Sequence, residues 1–555
     1  MEAIKILIKK MKIMRNILFI TIILTSGLTA QKDTSGTNLQ LNQVEVIKAF
    51  EANLEDAQKV SIKSVLPIQK PFNPKYTYDI TIVPIELKYP DPQIKPLAMN
   101  PDGPFKVNKG YFDAGYGLRK NPKMMAGYHF SKKDTYDAGF HVNYESLNNS
   151  ATHPFQKHRN AGIDFYGNYL IKENMKLYGE VNTSLNKRYF YHTDLPVDSL
   201  YTEDKSSRNL HSYGIKAGIS NAEPTTYNIN YDVSLALQNL SVSNEEAREN
   251  GIAIESKVEK LFRKNTILSM AGKYQYIAFS GSNEVSLTTA VFQPLLKTKI
   301  KNFIIHAGAN FLYSSDGQSS VWPEINLSYG VAGPNLQVFA GISQNFYTNS
   351  FRNVTQINPY LNSNLDSLNN TVIKSYFAGI KGQFSFLNYQ IKAGLKDAGR
   401  QMFLLNTRED VRYFDMLFDD VNIVFVTGNL DFTLYEDVTL GGWLTQNVYD
   451  LNTLSNAWHT PDIEGNVYLD VKLLDRKLNL KSDLYFGNRV SFINKTDVVT
   501  KSNLLFDFNL SATYKISEKV NVYIRGINLL DNKFERWYGY PSVGINGMAG
   551  FRVLF

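Results

Sequence analysis

Residues 503–516 read NLLFDFNLSATYKI, and apolar and polar side chains alternate along them. Leu504, Phe506, Phe508, Leu510, Ala512, Tyr514 and Ile516 fall on one face; Leu505, Asp507, Asn509, Ser511, Thr513 and Lys515 fall on the other. A period of two predicts a β-strand, and its persistence exceeds the five or six residues of an average soluble strand. The pattern recurs. Val467, Leu469, Val471 and Leu473 alternate with Asn466, Tyr468, Asp470 and Lys472; Leu478, Leu480 and Leu484 with Asn479, Lys481, Asp483 and Tyr485. Further back, Tyr227, Ile229, Tyr231, Val233, Leu235 and Leu237 oppose Asn228, Asn230, Asp232, Ser234 and Gln238. About 22 such segments follow one another from Lys106 to Phe555, joined alternately by short turns and by longer stretches rich in Asn, Ser, Thr and Asp, as near 190–208 and 347–370.

Two architectures repeat strands in this way. A soluble propeller or stacked sandwich buries both faces of its sheets, and the wholly polar face of many segments here would leave donors and acceptors stranded in such a core. A membrane β-barrel needs one apolar face toward lipid, one polar face toward a lumen, tight turns at one end and long loops at the other. The pattern therefore predicts an all-β fold: a large antiparallel transmembrane β-barrel over residues 106–555. Closure satisfies every backbone amide in lipid without helices. Tyr (34) and Phe (33) are abundant and are read as interfacial girdles.

The first thirty residues follow a different rule. Lys5, Lys9, Lys10, Lys12 and Arg15 precede the apolar run Ile17–Leu24, and small residues follow to Ala30. This order is that of a secretory signal peptide, with cleavage expected after Ala30. Between Gln31 and Phe105 nine of the 19 prolines gather from Pro67 to Pro104. Proline at that density removes ladder donors and fixes extended backbone, so residues 31–105 are expected to form an extended Pro-rich arm. The formal charge of +7 falls to +3 once the leader, with five basic residues and Glu2, is removed. Near-neutrality gives no electrostatic case for nucleic-acid binding, and the absence of Cys excludes disulfides and thiolate chemistry.

At the C-terminus the pattern becomes specific. In the final strand Gly547, Ala549, Phe551, Val553 and Phe555 share one face, opposite Met548, Gly550, Arg552 and Leu554. An aromatic last residue preceded by apolar residues at every second position resembles the assembly signal of outer-membrane proteins, with Ala549, Phe551, Val553 and Phe555 as its positions. Such a signal implies contact with the barrel-assembly machinery by strand addition. Upstream, GINLLDNKFERWYGYPSVG resembles the closing hairpin of TonB-dependent outer-membrane receptors, through Asn528, Leu529, Leu530, Asp531, Phe534, Gly539, Tyr540 and Pro541. The motif covers roughly the last 40 residues; the strand repeat extends it in the weaker form that any large barrel shares.

The resemblance implies an outer-membrane transporter of a solute or macromolecule, embedded in outer-membrane lipid and engaging TonB. Val44, Glu45, Val46 and Ile47 match the apolar-acidic character of a TonB box, but for a match of four residues an ordinary short extended segment is the preferred reading. The family also carries a folded N-terminal plug, longer than residues 31–105 provide and rich in Gly strands that are missing here. The expectation is a barrel with a reduced plug. The alternative reading is a structural or assembly and secretion-accessory barrel that binds a surface lipoprotein or periplasmic protein.

No enzyme motif stands out and no cofactor is expected. The eight histidines form no His-Glu-x-x-His, no Gly-x-Ser-x-Gly is present, and Gly110, Gly115 and Gly117 in GYFDAGYGLR read as strand. His141, Asn143 and Glu145 share an inward face, where a water-lined wall is preferred to a lumenal site. SNAWHTPDIEG, 455–465, is read as a loop anchored at the membrane interface by Trp458, with a ligand-contact loop as the alternative. Arg400–Val421 reads as two short strands rather than an inward fold.

Overall fold

The computed structural model describes residues 108–555 apart from 172–173, 196–201, 204 and 408. The leader, the Pro-rich arm and Val44–Ile47 lie outside the described residues. The strands are β1 (Gly110–Gly117), β2 (Asn121–Lys132), β3 (Tyr136–Asn148), β4 (Lys157–Ile171), β5 (Met175–Tyr189), β6 (Ser207–Asn221), β7 (Ile229–Val242), β8 (Ala247–Arg263), β9 (Thr266–Ser280), β10 (Glu284–Ile300), β11 (Phe303–Ser314) and β12 (Ser320–Gly330). They continue with β13 (Gln337–Asn349), β14 (Asn369–Gln383), β15 (Leu387–Asn406), β16 (Phe414–Tyr435), β17 (Val438–Leu451), β18 (Ile463–Leu473), β19 (Leu478–Gly487), β20 (Ser491–Ile493), β21 (Val499–Lys501), β22 (Leu505–Lys515), β23 (Val520–Ile527) and β24 (Asn546–Leu554). Among the described residues a short helix, α1 (Phe351–Ile357), is capped by the Ser350 hydroxyl, which accepts from the Asn353 amide.

Each barrel strand pairs antiparallel with its sequence neighbours, and β1 pairs with β24, closing a 22-stranded sheet; β20 and β21 form a separate hairpin. Closure is completed by Phe555 and Gly110, whose backbones exchange two hydrogen bonds of 2.8 and 3.0 Å. The C-terminal strand thus ends as a paired strand. Behind the seam, Asp113 accepts from Tyr523 Oη at 2.8 Å and from Arg552 Nε at 2.8 Å, tying β1 to β23 and β24 through side chains on the lumen face.

The alternation read from sequence places the side chains as expected. Leu504, Leu510, Tyr514 and Ile516 are exposed on the outer face, whereas Asp507 and Asn509 are buried on the inner one. Val233, Leu235 and Leu237 face outward, and Ser234 faces inward and is buried. Arg400–Val421 supplies the ends of two strands, although these are long: β15 has 20 residues and β16 has 22. Both run past the barrel rim, with a register shift between Ala398 and Gln401. Gly110–Gly117 is strand, as the sequence predicts. His141 bonds the Tyr111 hydroxyl and Glu145 pairs with Lys123 at 4.0 Å, in keeping with a polar wall.

Connections differ sharply between the two ends. At the end bearing the barrel termini they are tight, as at 264–265, 301–302 and 436–437. Opposite lie 190–206, 350–368, 452–462, 488–504 and 528–545. Outer-membrane barrels place such long loops outside the cell. A closed barrel of this kind, with an apolar outer face, is an outer-membrane protein.

Candidate functional site: a cap over the external mouth

The long connections converge. A cluster of buried apolar side chains takes Phe190 from 190–206, Phe351, Val354, Tyr360, Leu361, Leu365 and Leu368 from 350–368, and Tyr540 from 528–545. They pack on Leu210, Leu240, Val242, Ile277, Phe279, Leu287 and Leu404 of the strands beneath. Burying this much apolar surface at one rim gives the loops a core of their own. A second cluster joins Trp458 to Phe403, Val421, Ile423 and Phe425 on β15 and β16.

The closing hairpin lies at the hub. Asn528, at φ 48°, donates from its backbone amide to Asn509 Oδ1 and from Nδ2 to the Asn532 and Val543 carbonyls, the latter two both at 2.9 Å. Asp531, at φ 51°, accepts from the Ile545 amide at 2.8 Å. These bonds close the base of the loop. Leu529 packs against Gly526, while Leu530 is exposed. At the tip the Tyr540 ring stacks on Tyr360 with centroids 3.7 Å apart, and its hydroxyl donates to the Arg412 carbonyl at 2.7 Å. The Pro541 carbonyl accepts from Gln156 Nε2 at 2.9 Å. Gly539 has φ +76°, and a Cβ there would overlap the His192 ring. Its carbonyl accepts from the Thr193 amide at 2.9 Å.

Polar groups strap the cap to the barrel. Arg208 at the top of β6 is fully buried; one guanidinium nitrogen donates to the carbonyls of Pro359 and Leu361 at 2.8 and 2.7 Å, and another pairs with Glu245 at 2.7 Å. Glu245 also accepts from Tyr413 Oη at 3.2 Å. One side chain thus fixes the path of 350–368 above three strands.

Trp458 and His459 differ from expectation. Trp458 is 4% exposed and His459 2%, both inside the cap rather than at the lipid interface. The His459 amide donates to the Ser491 carbonyl at 3.0 Å, its Nδ1 bonds the Arg536 carbonyl at 2.9 Å, and its ring packs against Trp537 and Phe492. The interfacial-anchor reading fails because a local sequence cannot say which apolar surface a Trp meets. Not all of the aromatics face outward: Tyr191, Tyr360, Phe414, Phe492, Trp537 and Tyr540, joined through His459, form a contiguous network above the lumen. Phe190-Tyr191-His192 and Asn358-Pro359-Tyr360-Leu361, apolar islands in polar loops, were the available sequence signal for it.

Ala549, Phe551 and Val553 lie on the outer face of β24, and Phe555 completes the row, its ring over Gly110 and stacked on Tyr128 at 6.1 Å. Among the described residues no group of three His, Asp or Glu side chains is arranged to hold a metal ion.

The geometry has solved counterparts. The FrpB iron transporter from Neisseria meningitidis matches with a TM-score of 0.65 at 8% identity, over 81% of this chain and 82% of that one. The ferripyoverdine receptor of the outer membrane of Pseudomonas aeruginosa matches at 0.61 and 10% identity, over 81% and 72%. The chain has the fold of a TonB-dependent outer-membrane receptor. A third receptor-fold neighbour, a mutant form of the ferric enterobactin receptor PfeA from Pseudomonas aeruginosa, gives 0.61 at 11% identity over 81% of each chain. No protein-family model and no curated relative matches the sequence. At such identities the likeness to the receptors is one of fold, and the closing hairpin is where the sequence carries it.

The cap should be sensitive to acid. Burial lowers His192 and His459 from 6.5 to about 4; Asp194 and Asp410 oppose the shift at His192, while at His459 the Arg536 carbonyl opposes it and the Arg536 charge adds to it. Each ring binds a proton more readily when the cap is open, so closed-cap stability is whole above pH 6.5 and declines as pH falls toward 4. At pH 5 the two together withdraw roughly 4 kcal/mol. Trypsin cleavage within the external loops should therefore accelerate between pH 6.5 and 4.5 in wild type. A double His192→Gln, His459→Gln variant should lose most of that pH dependence.

Proposed function

We propose that this protein is a gated outer-membrane transport barrel of the TonB-dependent-receptor type, carrying a solute or macromolecule through a polar lumen whose external mouth is closed by the loop cap. The observation that carries the reading is the cap itself: five long connections bury apolar side chains in two clusters above a wall lined with polar side chains such as Asn466, Asp483, Asp507 and Asn509. A barrel that served only as an anchor would gain nothing from a separately packed closure over a polar bore. The solved neighbours, an iron transporter, a ferripyoverdine receptor and a ferric enterobactin receptor, support transport as the activity class.

The test is single-channel conductance in planar bilayers, for the mature protein, for a form lacking residues 31–105, and for that form with the cap disrupted. Large conductance steps in the last form are expected, with wild type closed. A barrel silent in every form would overturn transport and favour the scaffold reading.

We place the energy input on the arm. Val44–Ile47 is assigned as a contact that pairs with TonB by strand addition, which needs the backbone amide donors of an extended segment. Glu45→Pro removes one donor and should abolish retention by an immobilised TonB C-terminal domain while leaving outer-membrane abundance unchanged. Undiminished retention would refute the contact.

A further inference from the structure

The lumen wall is unevenly charged. Most of its cations sit beside carboxylates: Lys273 with Glu255 at 3.1 Å, Lys297 with Glu259 at 3.1 Å, Lys481 with Asp470 at 3.1 Å and Arg552 with Asp113 at 2.8 Å. Among the described residues, three lysines on β14 and β15 break the rule. Their direction follows from the alternation: Tyr376 and Ile380 on β14 and Ile391 and Leu395 on β15 are exposed on the outer face, so Lys381, Lys392 and Lys396 stand on the inner one. In place of a carboxylate each has an aromatic face. Lys381 Nζ lies 5.8 Å from the Phe339 ring centre, Lys392 Nζ 5.3 and 5.6 Å from Phe377 and Phe425, and Lys396 Nζ 4.5 Å from Phe425.

We propose that Lys381, Lys392 and Lys396 form a lumenal binding strip for a multivalent oxyanion, a solute bearing two or more carboxylate or phosphate groups. An aromatic face orients an ammonium and stabilises it modestly, but a ring face does not accept all of its N–H groups. Each ammonium keeps N–H donors for a ligand. Lys381 stands opposite Gln390, which makes Lys392 its diagonal neighbour, about 7–8 Å away. Like charges at that separation repel, and a dianion bridging them removes the repulsion as well as adding attraction. Lys396, four residues further along β15, extends the strip by about 13 Å toward the mouth. There Phe425 belongs to the same apolar cluster as Trp458 of the cap, so the strip begins directly beneath the closure.

Gly394 completes the arrangement. It lies between Lys392 and Lys396 on the inner face and pairs with Phe377 on one side and Phe425 on the other. A Cβ there would run into the Tyr376 carbonyl, and the two flanking rings carry the Lys392 and Lys396 ammonium groups.

The inference rests on the transport reading and names its substrate class, and its test is independent of conductance. Purified protein in non-ionic detergent at low salt is titrated calorimetrically with citrate and with inorganic pyrophosphate. Wild type should bind at least one probe; tighter binding of citrate assigns the strip to polycarboxylates, and of pyrophosphate to phosphates. The triple variant Lys381→Gln, Lys392→Gln, Lys396→Gln should bind at least about tenfold more weakly. Lys374→Gln should bind as wild type does, because Lys374 pairs with Asp397 on the outer face. Heat-modifiable gel mobility confirms that each variant is folded. Equal affinity in the triple variant, or no binding to wild type at millimolar probe, overturns the strip; a conductance failure with binding intact overturns transport alone.

Discussion

Gly539→Val should open the cap while leaving the barrel closed on itself. The residue sits at φ +76°, where a β-branched side chain is strained by roughly 1–3 kcal/mol, and any Cβ overlaps the His192 ring. The ring cannot simply rotate away: Nδ1 accepts from the Asp194 amide at 3.1 Å, and Tyr538 and Tyr540 pack edge-on against it. Overpacking adds about 1–3 kcal/mol more. Because Gly539 also accepts from Thr193, displacement uncouples 190–206 from 528–545. The expected readouts are faster trypsin cleavage in those two loops, a red shift of tryptophan emission as Trp537 is wetted, and, in the form lacking 31–105, conductance steps that the unsubstituted cap blocks. Heat-modifiable gel mobility should stay that of a folded barrel, since every ladder bond is elsewhere. If cleavage and emission match wild type, the tip of the hairpin does not hold the closure.

Arg208→Ala should have a comparable effect by another route. The guanidinium is fully buried and serves two carbonyls and one carboxylate at once. Truncation strands Glu245 as a half-paired charge and leaves Pro359 and Leu361 unsatisfied, at a cost of about 3–5 kcal/mol. Connection 350–368 then loses its tether to β6, and hydrogen exchange in α1 should accelerate, with strand amides of the barrel unaffected. Lys at this position cannot reproduce a planar fork that reaches three acceptors, so Arg208→Lys should recover only part of the loss. Pairing Arg208→Met with Glu245→Gln should recover more than Arg208→Ala, because the stranded charge is gone. Unchanged exchange in α1 after Arg208→Ala would show that the apolar core alone holds the loop.

The two disruptions act on different sides of one aromatic stack, Tyr360 on Tyr540. Residues meeting in a shared core couple, so the double variant should open the cap by less than the sum of the two single effects.

Much of this was legible from the chain. A strand is a local object: period two in residues 503–516 shows which side chains share a face before any partner is known, and Leu504 outward with Asp507 inward follows. Loop length likewise fixed which end of the barrel carries the elaboration. The closing motif was legible too, since Asn528 and Asp531 act on the backbone of their own loop. Tyr540 and Gly539 were identified by resemblance, but not what they touch. His192, Tyr360 and Arg208 lie far from that motif in the chain, in segments whose composition reads as polar loop. Their meeting depends on closure, which brings the loop after β5 beside the loop before β24.

Trp458 shows the limit most plainly. Its sequence neighbourhood suits a lipid interface and a buried cap equally, because a Trp needs only an apolar surface and something polar near its rim; which surface is available is decided by the register of β17 and β18 against β15 and β16. The strip of Lys381, Lys392 and Lys396 has the same character: alternation alone puts each on an inner face, while the lack of carboxylate neighbours among the described residues is a property of three adjacent strands. By itself the sequence determined that this protein is a lipid-embedded barrel of about 22 strands with a TonB-receptor-like closing hairpin, since periodicity and turn chemistry act within a few residues. Only the tertiary structure decided that its mouth is capped and that its lumen is polarised, because both arise from residues far apart in the chain that barrel closure brings together.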